Sequence, residues 1–322
     1  MKIKAYKTLS FPEEVNFLES FTDRNYFAFY GEKSVYVYDK ELIQVGKLDL
    51  TYKIEEPTLV HPFKPVVAVI EAGVGFNVIE ADSGKTLWNK RGAYIEAAWN
   101  ASGSALWAVK RIDSEHLELI VYSFEGDIIA TRRSADELYR SSVFIKTIPN
   151  SDEMVLELVV GKDSSMALFA KLSGKEIIIR RLGQTSFSDL SFNREGTKFL
   201  CLENDERTVH HFSYPALEDL GTYTHESDGL SGSLIHFGDY AVMSSWGRYH
   251  SLELASMSVT GEFIIEGHEP RPVSEIYELY GDALISDVDY LMQRGSVIMG
   301  HVNPRVTNDV IVFTPAVFKK TI

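Results

Sequence analysis

One local pattern recurs along this chain at a spacing that few folds accommodate. The turn WNASGSALW at 99–107 overlays FNREGTKFL at 192–200: an aromatic residue, Asn, two residues, Gly, two residues, then an apolar one. HPFKPVVAV from 61 and IPNSDEMVL from 148 fill the same slot, as do, more loosely, FTDRNYFAF from 21, HFGDYAVMS from 236 and LMQRGSVIM from 291. Successive starts are 40, 38, 49, 44, 44 and 55 residues apart. A period of that length marks a supersecondary unit that cannot bury its apolar face alone and stacks on its neighbours.

The internal pattern of each unit predicts four short strands. In the second unit these are PTLVH, VVAVIEA, GFNVIEA and, after the turn DSGK, TLWNK. SFEGDIIA at 123–130, KLSGKEII at 171–178 and SVTGEFII at 258–265 are assigned to the same turn between third and fourth strands. Glycine suits a tight hairpin because it accepts positive φ without a Cβ clash. Seven such units predict an all-β fold, a β-propeller of seven four-stranded blades forming a single domain over 1–322. The opening KIKAYKTL is surplus to the first unit, so residues 2–9 are expected to close the last blade beside DVIVFTP.

That assignment competes with a nucleotide-binding reading of EADSGKTLWNK at 80–90, where Gly84-Lys85-Thr86 would cradle a phosphate. The phosphate loop needs G-x-x-x-x-G-K-[ST] leading into a helix. Here the first glycine position is Ile79, and only five residues separate Thr86 from the turn signal at Gly92. The formal charge of −14 also opposes a nucleic-acid partner, since Lys/Arg attraction to phosphate dominates such binding. No apolar run reaches membrane-spanning length, and MKIKAYKTLSFPEE lacks the apolar centre of a signal peptide, so a cytosolic protein with no membrane partner is expected. Cys201, the single cysteine, lies in the apolar run KFLCLE and reads as a packed core thiol.

WNASGSALWAV and FNREGTKFLCLENDERTVHHFSY are similar to the first turn, second strand and third strand of a WD-type blade, and EADSGKTLW resembles the turn of quinoprotein repeats. The chain therefore resembles the WD-repeat and quinoprotein-like propeller superfamily over its whole length. No unit carries the Gly-His and Trp-Asp dipeptides of a strict WD repeat, and Trp88 is the only tryptophan in the quinoprotein slot. The resemblance implies a fold and no activity. A quinone-dependent dehydrogenase is set aside because the adjacent cysteine pair is missing, and Trp88 is expected to pack between blades.

Catalytic patterns are sparse. There is no G-x-S-x-G elbow, and neither HE at 225 nor HE at 268 continues to a second histidine four residues after the first. ENDERT at 203–208 reads as a polar loop between second and third strands rather than a calcium site. No catalytic residue, metal ligand or cofactor is assigned. His61 and His236 occupy equivalent slots that elsewhere hold Phe21, Trp99, Ile148, Phe192 and Leu291, so packing with a backbone partner is the expected role of a histidine there.

What remains is surface. Loops joining second to third strands, and fourth strands to the next first strand, share one face of a propeller. Trp246, Arg248, Tyr249 and His250 in SWGRYHS, Tyr139 and Arg140 in RSADELYRSS, Arg271 in EPRPVSEIYELYGDA, Arg305 in HVNPRVTND and Tyr94 in GAYI are predicted there. Trp, Tyr and Arg dominate binding energies because each joins large contact area to a polar group. The expectation is a protein- or peptide-binding scaffold. The alternative is a hydrolase or lyase of sugars or lactones at the channel mouth, which needs convergent groups such as His61, Asp189 or His236.

Overall fold

The computed structural model describes every residue except 19, 21–23, 55, 72, 115, 134–141, 160–164, 183–186, 204–205, 227–229, 231–233, 246–247, 270–287, 295–296, 303–305 and 320–322. The described chain is strand and turn, with a 3-10 turn at Pro315–Phe318. Its first strands are β1 (Lys2–Ile3) and β2 (Lys7–Ser10). Sheet I holds β3 (Tyr26–Tyr30), β4 (Ser34–Asp39) and β5 (Gln44–Asp49); sheet II holds β6 (Val66–Glu71), β7 (Gly75–Glu80) and β8 (Thr86–Arg91). Sheet III runs β9 (Ala93–Trp99), β10 (Ala105–Arg111), β11 (Leu117–Ser123) and β12 (Ile128–Arg133). Sheet IV runs β13 (Ser142–Thr147), β14 (Met154–Val159), β15 (Ser165–Ser173) and β16 (Glu176–Arg181). Sheet V runs β17 (Phe187–Phe192), β18 (Lys198–Glu203), β19 (Thr208–Ser213) and β20 (Asp219–Thr224). Sheet VI holds β21 (Leu234–Phe237), β22 (Tyr240–Ser245), β23 (Arg248–Glu253) and β24 (Ser258–Ile265); sheet VII holds β25 (Val288–Arg294), β26 (Val297–Val302) and β27 (Asp309–Phe313).

Apart from β1 and β2, which join sheets VI and VII, each sheet is an antiparallel meander in chain order. Inner strands such as VVAVIE of β6 are buried on both faces and therefore read as continuous apolar runs. Outer strands such as TLWNKR of β8 and DLGTYT of β20 are largely exposed and polar.

The repeated Asn-x-x-Gly turn has a direct physical cause. Asn100 Oδ1 accepts the Ala105 N–H at 3.1 Å, and Asn193 Oδ1 accepts those of Thr197 and Lys198, both at 2.9 Å. The carbonyl of each Asn accepts the N–H of the glycine three residues on, Gly103 or Gly196, at φ 70° and 66°. Side-chain amide and left-handed residue together satisfy backbone groups that would otherwise be orphaned at the hairpin end.

The third-to-fourth-strand turn is equally regular. Its left-handed residue is Leu42, Gly84, Gly126, Gly174, Leu217 and Met257 in sheets I to VI. DSGK is thus a hairpin between β7 and β8, with Gly84 N–H on the Glu80 carbonyl and no following helix. SVTGEFII is a correction: it is β24 itself, and Met257, not a glycine, makes the preceding turn.

PTLVH is a second correction. Pro57, Pro62 and Pro65 deprive the segment of ladder donors, and Leu59 makes only an isolated parallel bridge to Ala98. Side chains substitute for the missing ladder: Tyr30 Oη donates to the Thr58 carbonyl at 2.8 Å, and Thr58 Oγ1 donates to the Ala68 carbonyl. Sheet I likewise begins with a single bridge, Asn16 to Tyr30. The first unit's expected turn, from Phe21, lies partly outside the described residues.

The closing segment divides between two sheets. β2 pairs antiparallel with β27, Lys7 opposite Val312, whereas β1 pairs parallel with β24, Lys2 opposite Ile264.

By contacts the chain forms two compact units, Val15–Ser186 and Met1–Glu14 with Phe187–Ile322. In the first, separate apolar clusters fill the seams between sheets I and II, II and III, and III and IV. Buried Arg24 adds a polar tie there: Nε donates to Ser20 Oγ at 2.8 Å, Nη1 to the Val60 carbonyl, and Nη2 to the Trp99 carbonyl at 3.4 Å. In the second unit the clusters fill the seams between sheets V and VI and between VI and VII.

Candidate binding surface

Only two residues, Trp246 and Gly247, separate β22 from β23 in the chain, and both lie outside the described residues. Arg248, Tyr249 and His250 are therefore not loop residues, as expected from SWGRYHS, but the first three of β23. Strand alternation then decides their fates. Arg248 is exposed, His250 half-buried, and Tyr249 buried in the seam between sheets VI and VII beside Phe318. Tyr94 is also core: its ring packs on Phe76 at 4.7 Å and its hydroxyl meets that of Tyr122 at 2.6 Å. Neither tyrosine is placed to touch a partner. Tyr139, Arg140, Arg271 and Arg305 lie outside the described residues.

The structure surrounds Arg248 and His250 with residues that the sequence pattern passed over. Arg248 donates to Glu262 Oε1 on β24, and the Met1 amine donates to the Glu262 carbonyl at 2.7 Å. From sheet V, Arg207 Nε and Nη2 hold the His225 carbonyl at 3.2 and 3.0 Å, and Tyr223 Oη lies 2.9 Å from His225 Nδ1. The His225 and His250 rings meet at 5.1 Å. Burial lowers the pKa of both, assisted at His225 by Arg207 and at His250 by His225. The lasting positive charge of this rim thus belongs to Arg207 and Arg248. Arg207 lies in ENDERT, where the only sequence signal was a polar loop, and His225 lies in an HE dipeptide that leads to no zinc pair.

The groups a channel-mouth enzyme would need are engaged elsewhere. His61 Nδ1 accepts the Phe63 N–H at 3.1 Å, which assigns the proton to Nε2, donating to the Gly103 carbonyl at 3.0 Å. Burial pushes its pKa down to about 4, so the ring is neutral and both nitrogens are occupied. His236 is fully buried, its Nε2 3.4 Å from that of His211; burial lowers these two to about 3 and about 4. Asp189 Oδ1 accepts the Leu190 N–H at 2.7 Å. Glu96, at the equivalent repeat position, accepts the Ala97 N–H at 3.0 Å and is held protonated by burial, with nearby Glu56 acting in the same direction. Cys201 is buried, and burial raises its thiol well above the usual range, the opposite of a nucleophile's environment. Among the described residues no three His, Cys, Asp or Glu side chains gather to hold a metal ion.

No family model matches the sequence, and no curated protein does. Solved structures do match in three dimensions. The β-propeller domain of Cps50 (Swd1) from Myceliophteria thermophila superposes with a TM-score of 0.59 at 12% identity, covering 96% of this chain and 98% of that one. BamB from Moraxella catarrhalis gives a TM-score of 0.57, also at 12% identity, covering 94% and 86%. The fold is a seven-bladed β-propeller, in which some blades show three strands among the described residues.

Proposed function

We propose that this propeller is a protein- or peptide-binding scaffold whose contact surface is the rim of sheets V and VI around Arg248 and His250, with Trp246 from the adjoining segment of the chain. The observation that carries this reading is the convergence of Arg207, Tyr223, His225, His250 and Arg248, drawn from two neighbouring sheets. Guanidinium and aromatic groups on a rigid strand framework lose little conformational freedom on binding, which favours affinity for a peptide surface. The acidic balance of the whole chain, −14, makes this local pair of arginines a selective point of attraction for a carboxylate-bearing segment.

Substituting Trp246→Ala with Arg248→Ala tests the reading. Arg248 is solvent-exposed and its ion pair with Glu262 is of a kind that contributes at most about 1 kcal/mol to stability, so the melting temperature of the double variant is measured alongside binding. Loss of a stoichiometric partner at unchanged melting temperature supports the scaffold. Full retention of the partner moves the binding surface elsewhere.

A further inference from the structure

Four of the nine histidines meet in cross-sheet pairs within a single seam. His211 of β19 faces His236 of β21, with Nε2 atoms 3.4 Å apart and ring centroids 5.3 Å apart. His225, just beyond β20, faces His250 of β23. Between the same two sheets pack Leu200, Leu202, Val209, Leu234, Met243 and Leu252.

We propose that the seam between sheets V and VI is a pH-responsive joint, closed while its two histidine pairs are neutral and forced open when they take up protons. In the neutral His211–His236 pair one Nε2–H donates to the other Nε2. That leaves one Nδ1 lone pair and one Nδ1–H, and both Nδ1 atoms are buried without a partner among the described residues. A first proton adds at an Nδ1 that has no acceptor, so two buried N–H donors are then unsatisfied. A second proton places two cations 3.4 Å apart in an apolar seam.

The charges facing these rings do not reverse that balance. Lys198 opposes protonation at both His211 and His236, and Asp219 favours it only at His211. At the rim Arg207 opposes and Glu226 favours a charge on His225, while Arg248 opposes and Glu262 favours one on His250. His210, on the other face of β19, shows the ordinary alternative: its Nε2 lies 2.7 Å from Glu203 Oε1. Opening the seam would displace the binding rim, since Arg207 and His225 stand on one side and Arg248 and His250 on the other.

Amide hydrogen exchange read by mass spectrometry at about pH 7.5 and about pH 5, corrected for intrinsic rates, tests the joint. Sheet IV, which contains no histidine, is the internal reference. The expected result is a loss of protection in β19, β21 and β22, relative to sheet IV, of roughly tenfold or more, reversed on return to neutral pH. His236→Phe, which places in sheet VI the aromatic that Phe192 supplies in sheet V, removes that selective loss. Should this variant not fold, nitrogen-15 spectra of the wild-type imidazoles serve instead: two rings titrating together with the loss of protection support the joint. Equal loss in sheets IV, V and VI overturns it, as does protection of the seam that persists after those rings are protonated.

Discussion

Trp88 and Gly126 are matched across the seam between sheets II and III. A Cβ on Gly126 would lie 2.7 Å from Trp88 Cδ2, and Gly126 sits at φ 90°, while Trp88 Nε1 donates to the Phe124 carbonyl of the same turn at 2.8 Å. The indole therefore works as the inter-blade packing element expected of it. Gly126→Ala combines a steric clash with a left-handed backbone and should lower stability by about 2–3 kcal/mol in urea titration. In a Trp88→Ala background the same change should cost less by at least about 0.5 kcal/mol, because the clashing ring is gone. Additive costs would refute the coupling.

Acid should destabilise the protein well before ordinary carboxylates protonate. His61, His211 and His236 have folded pKa values of about 4, 4 and 3, below the unfolded value of 6.5. Between those limits the unfolded chain binds more protons, so stability rises with pH and falls as pH drops from 6.5 towards 4. Near pH 5 these three groups contribute a slope approaching about 4 kcal/mol per pH unit. His61→Phe should flatten the slope of unfolding free energy against pH by about one proton. An unchanged slope would show that His61 is not held neutral.

Glu96 produces the opposite dependence. Its folded pKa is raised well above 4.5 by burial, so the folded state keeps a proton that the unfolded chain releases. Its contribution is intact below the unfolded pKa and is lost as pH rises through the folded one. Glu96→Gln keeps an acceptor for the Ala97 N–H and removes the ionisation. The variant should gain stability over the wild type progressively as pH rises above the unfolded value of 4.5 and show no gain well below it. Thermal melts across that range decide it.

Asn193→Ala should remove the acceptor of two backbone N–H groups at the sheet V hairpin and cost about 1–2 kcal/mol, with Asn193→Asp largely restoring stability. Chemical denaturation measures both. Equal losses from the two variants would mean that the amide's donor side, towards Glu195 and Thr197, matters more.

The parts of this fold that announce themselves in sequence are those decided by local chemistry. Asn100-x-x-Gly103 and Asn193-x-x-Gly196 carry both halves of their turn within four residues, and Gly84, Gly126 and Gly174 mark third-to-fourth hairpins for the same reason. Leu42, Leu217 and Met257 adopt that left-handed geometry without glycine, so their hairpins carry no mark. PTLVH has strand composition, yet its own proline and the two that follow it, Pro62 and Pro65, decide against a ladder. The proposed rim was only half legible. Trp246 and Arg248 draw notice by residue type, but the burial of Tyr249 depends on where β23 starts, which no local pattern marks. The histidine pairs join residues 25 apart in the chain, and no local pattern records which ring a neighbouring sheet will present.

The central claim is tested most directly by capture of binding partners from soluble extract on three immobilised forms: wild type, Trp246→Ala with Arg248→Ala, and Ile178→Ser on the exposed outer strand of sheet IV. The account predicts a stoichiometric partner on the wild type and on Ile178→Ser that is lost on the rim variant. A partner held equally by all three forms would contradict it.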